Sequence, residues 1–101
     1  MPLTDAMRHP TTLTFRLHAI KRMFERKVDA DDVRHILAIG EMIEDYPTDT
    51  PYPSCLVLGR RGIRPLHIVV AYNATDDETI VITVYEPDPA QWDRKFKERR
   101  P

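Results

Sequence analysis

The feature that most constrains the fold of this chain is a pair of apolar segments in its second half. Residues 65–73 and 79–85 are rich in β-branched and aromatic residues, and the polar residues 74–78 lie between them. Successive side chains of a strand point to opposite faces of its sheet, and a short polar loop is typical of a hairpin. These two segments therefore predict an antiparallel hairpin, the strongest pair of strands in the chain.

The register of this hairpin follows from which side chains share a face. If Tyr72 pairs with Ile80, both strands turn one apolar face towards covering helices. The same register places His67 opposite Tyr85 on the other face, and a slip of two residues leaves them diagonal neighbours. We therefore predict that His67 and Tyr85 are neighbours across the two strands. The side chains predicted to face the helices are Leu66, Ile68, Val70, Tyr72, Ile80, Ile82 and Val84.

Two helical segments precede the hairpin. A helix beginning near His18 is predicted to have an apolar face made of Ala19, Ile20, Met23 and Phe24, with a stripe beside it formed by His18, Arg22 and Arg26. Asp29 is suited to cap a second helix, whose buried face is predicted to be Val33, Ile36 and Leu37. Gly40 is predicted to end that helix in a left-handed conformation.

The remaining segments complete an α+β domain. Strands are predicted at residues 13–17, 41–46 and 54–60, with a proline-rich loop at residues 47–53. Asp88 and Pro89 are typical of a helix start, so we predict a short C-terminal helix anchored by Trp92 and Phe96. The predicted fold is α+β, with two N-terminal helices packed on a four-stranded antiparallel sheet. Residues 1–12 are predicted to be a flexible N-terminal arm, and residues 13–101 a single domain.

Composition narrows the class of protein. The longest apolar run, residues 80–85, is too short to cross a membrane, and residues 1–12 lack the apolar stretch of a signal peptide. The single cysteine, Cys55, cannot form an internal disulfide, so we expect a cytoplasmic protein. The formal net charge is −1. Basic residues nevertheless concentrate in segments 16–27, 60–64 and 94–100, and these could form one basic face.

Few residues in the sequence have the chemistry of a catalytic site. The four histidines lack the spacing of metal ligands, and no metal or other cofactor is predicted. Cys55 begins an apolar strand and is more typical of a buried side chain than of a nucleophile. The acidic pairs at residues 31–32 and 76–77 are explained by helix capping and by loop solvation.

The remaining candidates are the residue types of a metal-independent ribonuclease. A neutral histidine can accept the proton of a ribose 2′-hydroxyl, and arginine can stabilise charge on phosphorus. A second histidine or a tyrosine can protonate the leaving oxygen. The same side chains also fit a solvated helix face and an ordinary cross-strand contact, so both interpretations remain open. The candidates are His18, Arg22, Arg26, His67 and Tyr85.

Several separated motifs resemble a small bacterial family, the domain of unknown function four-two-five-eight. They are HAIKRMFER at residues 18–26, Asp32-Val33, Gly40-Glu41, YPSCL at 52–56, PLH at 65–67 and TVYEPD at 83–88. That family is similar to the RelE-like and BrnT-like toxin folds, in which two helices pack on a curved antiparallel sheet. The resemblance implies an RNA-cleaving toxin with a protein antitoxin as partner. It also implies catalytic roles for His18, His67 and Tyr85, and substrate binding by Arg22 and Arg26.

Two hypotheses therefore stand side by side. The first is a metal-independent endoribonuclease toxin, which requires the helix stripe and the His67–Tyr85 pair to meet in one cleft. Because His67 is predicted on the sheet face opposite the helices, they could meet only at an edge of the sheet or through strong curvature. The second is a non-catalytic protein-interaction module, which an unpaired edge strand or an exposed apolar patch would favour.

Overall fold

The computed structural model describes residues 3–101. That part of the chain forms an α+β fold with three helices and one five-stranded mixed sheet. In chain order the elements are α1 (Asp5–Arg8), β1 (Thr12–Phe15), α2 (Leu17–Arg26), α3 (Ala30–Ile39), β2 (Glu41–Tyr46), β3 (Ser54–Arg61), β4 (Arg64–Asn73) and β5 (Glu78–Tyr85). None of the helices in residues 3–101 combines the length and the hydropathy needed to cross a membrane.

Strand β1 joins the sheet, which therefore has five strands instead of the predicted four. Its strand order is β1-β5-β4-β3-β2, in which β1 is parallel to β5 and every other pair is antiparallel. The prediction of four antiparallel strands is therefore wrong, and the sheet is not strongly curled. The strand pattern at Leu13 and Phe15 is confirmed, and both side chains pack against the core. Local alternation cannot identify the partner of a strand, because that choice depends on where α2 packs.

The register of the β4–β5 hairpin is partly confirmed. His67 lies directly opposite Tyr85, as predicted, whereas Tyr72 pairs with Thr79 and not with Ile80. An irregularity between Val69 and Val70 shifts the pairing, because one strand contributes an extra residue there. Beyond that shift Val81, rather than Ile80 or Ile82, joins the core under the helices.

Helices α2 and α3 cover one face of the sheet, where α2 packs on β5 and α3 packs on β3. Asp29 caps α3 in a reciprocal capping box with Asp32. Gly40 has φ −72°, so the left-handed end predicted for α3 is wrong. Close packing explains the glycine instead, because a Cβ atom at Gly40 would lie 2.4 Å from the carbonyl oxygen of Ile36.

The predicted apolar face of α2 is only half buried. Ala19 and Met23 lie in the core, but Ile20 is 51% exposed and Phe24 is 87% exposed. The four side chains of the predicted apolar face therefore do not all reach the core. Helix α2 contacts the sheet only through the side that carries Ala19 and Met23, and the adjacent side faces outward.

The predicted C-terminal helix does not form. Asp88 caps a single turn, with its side chain accepting from the Ala90 amide at 2.9 Å. The chain then folds back on itself, and Trp92 pairs with Arg99 in an isolated antiparallel bridge. We call residues 92–99 the C-terminal hairpin. Trp92 is only 2% exposed, and the backbone at this residue has to be extended to form the bridge. A continuing helix could not satisfy both conditions.

The N-terminal residues that the structure describes pack on α3. Leu3 and Met7 are buried, and the Arg8 guanidinium donates to carbonyl oxygens at the end of α3, including that of Gly40 at 3.0 Å. These bonds satisfy carbonyl groups that have no partner within the helix. The division into a flexible arm of residues 1–12 and a domain of residues 13–101 stays a prediction, and residues 1–2 lie outside the described part.

Candidate functional site

His67 occupies the sheet face opposite the helices and is fully buried. Its Nε2 atom lies 2.8 Å from the carbonyl oxygen of Phe96, and its Nδ1 atom lies 3.1 Å from the hydroxyl of Tyr85. A carbonyl oxygen can only accept, so Nε2 carries the proton and Nδ1 is the acceptor. The Tyr85 hydroxyl therefore donates to His67, and both ring nitrogens are satisfied in the neutral form.

Aromatic rings enclose the imidazole. Trp92 meets His67 edge to face with ring centroids 4.5 Å apart, and the Tyr85 ring is 5.2 Å away. Burial lowers the pKa of His67, and this effect outweighs the opposing hydrogen bond to Phe96 and the charge of Glu44. His67 is consequently neutral at pH 7. The C-terminal hairpin covers it, since both Trp92 and Phe96 belong to that hairpin.

An ion pair lies next to these rings. The guanidinium of Arg99 stacks over Trp92, 4.6 Å from the ring centroid, and bonds both carboxylate oxygens of Glu44 at 3.1 and 3.3 Å. The hydroxyl of Tyr46 donates to the same carboxylate. Partial burial opposes ionisation of Glu44, but the bonds from Tyr46 and Arg99 outweigh it and hold its pKa below the ordinary value. Burial and this carboxylate raise the pKa of Tyr46 to about 12.

These side chains form one continuous group from three strands and the C-terminal hairpin. We call it the outer-face cluster, and its members are Glu44, Tyr46, His67, Tyr85, Trp92 and Arg99. Leu56 and Leu58 of β3 lie between the strands that bear the polar members, pairing with Glu44 and His67. Shifted pKa values concentrate in this cluster, a property of functional sites and of structural ion networks alike.

The helix stripe predicted for the site lies elsewhere. His18 is exposed on α2, and Arg22 pairs with Glu25 on the same helix at 3.0 Å. Within residues 3–101, no hydrogen bond or ion pair connects His18, Arg22 or Arg26 to the His67–Tyr85 pair. The structure thus brings His67 and Tyr85 together without the helix stripe. A catalytic role for His18 and substrate binding by Arg22 and Arg26 stay predictions.

The C-terminal end of α2 nevertheless approaches the end of the sheet at which Tyr85 lies. The guanidinium of Arg64 bonds the carbonyl oxygen of Arg26 at 2.8 Å and the carboxylate of Glu86 at 2.6 Å. Glu86 directly follows Tyr85, so this contact connects the last turn of α2 to the C-terminal end of β5. His18 is two helical turns away from Arg26, which is about 12 Å along the helix axis.

Four members of the cluster were not predicted as site residues, namely Glu44, Tyr46, Trp92 and Arg99. Glu44 belongs to a strand with a weak pattern, and Arg99 belongs to a charged tail. Their proximity depends on contacts between residues 55 positions apart, which no local spacing encodes. The one available signal was the large apolar surface of Trp92, which predicted that the tail is anchored to the domain.

The other candidate chemistry has no structural support in residues 3–101. No three histidine, cysteine, aspartate or glutamate side chains converge there as metal ligands. Burial, followed by the charge of Asp45, raises the pKa of the Cys55 thiol to about 11. That thiol is therefore protonated at neutral pH and is a poor nucleophile.

The comparisons with known proteins place these residues in a family. A family model described as domain of unknown function (DUF4258) matches residues 15–86, well over half of the chain. This chain belongs to the DUF4258 family. No curated protein and no solved structure matched it. The DUF4258 region contains Glu44, His67 and Tyr85, whereas the C-terminal hairpin that covers His67 lies beyond it.

Burial of His67 predicts a dependence of stability on pH. Its pKa in the folded state is below the unfolded value of 6.5, so the unfolded chain binds a proton more readily. The free energy of unfolding should be constant just above pH 7 and fall below about pH 6.5, by at most about 1.4 kcal/mol per pH unit. Urea titrations from about pH 7.5 to pH 5.5 measure this slope. His67→Gln should flatten it, and an unchanged slope would contradict the assignment to His67.

Proposed function

We propose that this chain is a metal-independent endoribonuclease whose site is the outer-face cluster. The observation that carries the proposal is the arrangement of the hydrogen-bonded His67–Tyr85 pair beside Arg99 and Glu44 on one face of the sheet. A proton acceptor, a proton donor and an anion-binding group therefore lie within one continuous set of contacts. Acid–base cleavage of a phosphodiester requires these three functions.

Four side chains of the outer-face cluster can contribute to phosphodiester cleavage. The 2′-oxygen of a ribose attacks the adjacent phosphorus, its proton passes to a base, and the departing 5′-oxygen takes a proton from an acid. Glu44 is able to accept a proton at pH 7. Neutral His67 can accept one through Nδ1 once the Tyr85 hydroxyl no longer donates to that nitrogen, and the hydroxyl is then free to donate to the leaving oxygen. Arg99 is half exposed and presents a guanidinium that can bind the phosphate oxygens. The products are a 2′,3′-cyclic phosphate and a free 5′-hydroxyl.

Positive charge around the cluster supports RNA as the substrate. Arg60 of β3 lies over the ring of Phe96 at 5.9 Å, so the basic turn after β3 and the basic C-terminal hairpin meet on this face. Exposed Arg94, Lys95 and Arg100 add further cations. A concentration of cations attracts a polyanion even when the net charge of the protein is near zero.

Access to His67 requires a movement of the C-terminal hairpin. The Phe96 carbonyl oxygen accepts the hydrogen bond from Nε2 of His67, and Trp92 covers the imidazole ring. Ion pairs from Lys97 to Glu41 and from Arg99 to Glu44 hold the hairpin in place. We therefore assign the described conformation to a closed state, in which Arg99 and Glu44 are partly exposed and His67 is out of reach of a substrate.

The proposal extends to the setting of the protein. An RNA-cleaving enzyme in the bacterial cytoplasm would be harmful to its own cell, so we propose a toxin that a protein antitoxin neutralises. The cytoplasmic setting is supported by the single buried thiol, which forms no disulfide.

The proposal is tested by RNA cleavage in the presence of a metal chelator. The purified chain is expected to cut a single-stranded RNA and leave 2′,3′-cyclic phosphate ends. Lys97→Glu should cut faster, because it replaces the attraction to Glu41 by repulsion and loosens the hairpin without altering the outer-face cluster. Induction of the chain in a bacterium should arrest growth. Absence of cleavage by both proteins at high concentration would refute the proposal.

A second candidate function is protein binding without catalysis. The observation in its favour is the exposure of large apolar side chains on α2, where Leu17 is 81% and Phe24 is 87% exposed. The open edge of β1 adds unpaired backbone groups at one side of the sheet. Under this alternative, the chain binds a protein partner but cleaves no RNA in the assay described above.

A further inference from the structure

The most unusual surface of the molecule is an apolar stripe on α2. It consists of Leu17, Ile20 and Phe24, which are 81%, 51% and 87% exposed. Spacings of three and four residues place these side chains on one side of the helix. Only two other large apolar side chains in residues 3–101 are exposed to a similar degree, Ile39 and Ile63. A grouping of this kind is typical of a surface that another molecule covers.

Cations border the α2 stripe on both sides. With about 100° of rotation per residue, Lys21 lies about 40° to one side of Leu17. Arg16, at the residue that caps the helix, lies about 100° to the other side and so borders Ile20. Neither Arg16 nor Lys21 takes part in an ion pair within residues 3–101. The stripe is thus an apolar strip between two cations that have no internal counterion there.

We propose that the α2 stripe binds an acidic amphipathic helix of another protein. A row of side chains with helical spacing fits the grooves of a second helix, whose own apolar stripe would cover Leu17, Ile20 and Phe24. Carboxylates on either side of that stripe would pair with Arg16 and Lys21. The apolar contact supplies affinity, and the charges select an acidic partner over a basic one.

A second copy of this chain is a poor occupant of the same surface. A symmetric contact between two α2 helices would bring the cations Arg16 and Lys21 of one copy towards the cations of the other. This repulsion costs electrostatic free energy. The acidic helix of the chain is α3, which carries Asp31 and Asp32 in its first turn. Its apolar side chains Val33, Ile36 and Leu37 are buried, and the exposed Ile39 lies alone at its C-terminal end, so α3 offers no matching stripe.

The docking surface is separate from the proposed catalytic cluster. Helix α2 lies on one face of the sheet, and His67 with its neighbours lies on the other. Docking on α2 therefore does not depend on RNA cleavage, and the failure of one proposal leaves the other standing.

The test uses two synthetic helical peptides of about 20 residues, each with a leucine stripe. One peptide has glutamates on both sides of its stripe, and the other has lysines at the same positions. Fluorescence anisotropy with the full chain should detect binding of the glutamate peptide. Phe24→Ser should weaken that binding at least about tenfold. Ile63→Ser is the matched control, because Ile63 is 92% exposed outside the stripe, and its affinity should equal that of the unaltered chain.

A charge reversal gives a second, independent readout. Arg16→Glu combined with Lys21→Glu should reverse the preference, so that the lysine peptide binds more tightly than the glutamate peptide. Equal affinity for both peptides, or no binding at about 1 mM peptide, would overturn the proposal. Sedimentation that reveals a dimer dissociated by Phe24→Ser would also overturn it, because a second copy would then cover the stripe.

Discussion

Replacing His67 by glutamine is expected to lower the rate of RNA cleavage by at least about a hundredfold. The substitution removes a group that is neutral at pH 7 and bonded to the Tyr85 hydroxyl, and loss of a positioned acid–base group typically costs this much or more. Tyr85→Phe keeps the ring and removes only the donor, so it should produce a loss of similar size with less effect on the fold. Single-turnover cleavage of a labelled RNA measures both.

The matched control is His18→Gln, which removes an exposed histidine on the opposite side of the sheet. Cleavage by this variant should equal that of the unaltered chain, because no described contact connects His18 to the outer-face cluster. Circular dichroism verifies that each variant is folded. If His18→Gln abolishes cleavage while Tyr85→Phe does not, the site lies on α2 and the outer-face cluster is structural.

Within the same cluster, Glu44→Gln separates the two candidate bases. It keeps the size of the side chain but removes the charge that pairs with Arg99. If Glu44 accepts the proton, the rate should fall as far as in His67→Gln. If His67 does so, Glu44→Gln should retain most of the rate, and the dependence of the rate on pH should still follow the ionisation of His67.

Trp92→Ala is expected to lower the free energy of unfolding by about 3–5 kcal/mol, the usual range for a buried tryptophan. The indole is 2% exposed, contacts the His67 ring and lies beneath the Arg99 guanidinium. Its loss removes most of the apolar anchoring of the C-terminal hairpin. The neighbouring Phe96 would then be released, and the buried surface of His67 would open to water. Urea unfolding followed by circular dichroism measures the change.

Phe24→Ala is the control for the tryptophan substitution. It also removes a large aromatic side chain, but from a position that is 87% exposed, so it should change the free energy of unfolding by about 0.5 kcal/mol or less. Two equal losses would contradict the distinction between the buried and exposed surfaces. A loss below about 1 kcal/mol in Trp92→Ala would indicate that the hairpin is only loosely attached.

Features that depend on local periodicity were predictable. The two strong strands, the capping of α3 by Asp29 and the neighbourhood of His67 and Tyr85 all follow from spacing within short segments. In a hairpin the short loop limits the register to a few choices, and each choice left this pair close together. Even the bulge at Val69 and Val70 did not disturb it, because the shift occurs further towards the loop.

Features that depend on distant contacts were not predictable in this way. Three such features are the parallel pairing of β1 with β5, the exposed side of α2 and the fold-back of the tail at Trp92. Each depends on which distant segment of the chain packs against the element in question. The amphipathic pattern of α2 correctly indicated a helix, but a helix at the margin of a sheet buries less of its apolar surface than its composition suggests. The amphipathic pattern alone does not predict how much of the apolar surface of α2 the sheet covers.

The candidate site likewise has a part that local spacing predicts and a part that depends on distant contacts. Alternation along β4 and β5 was sufficient to bring an imidazole and a phenol together, because residues on one strand face are spaced by the covalent geometry of the chain. Only the tertiary structure decided that Glu44 and Arg99 join them, and that His18 does not. The position of Arg99 depends on where Trp92 is buried, because both belong to the C-terminal hairpin. The surface that buries this indole exists only in the folded sheet.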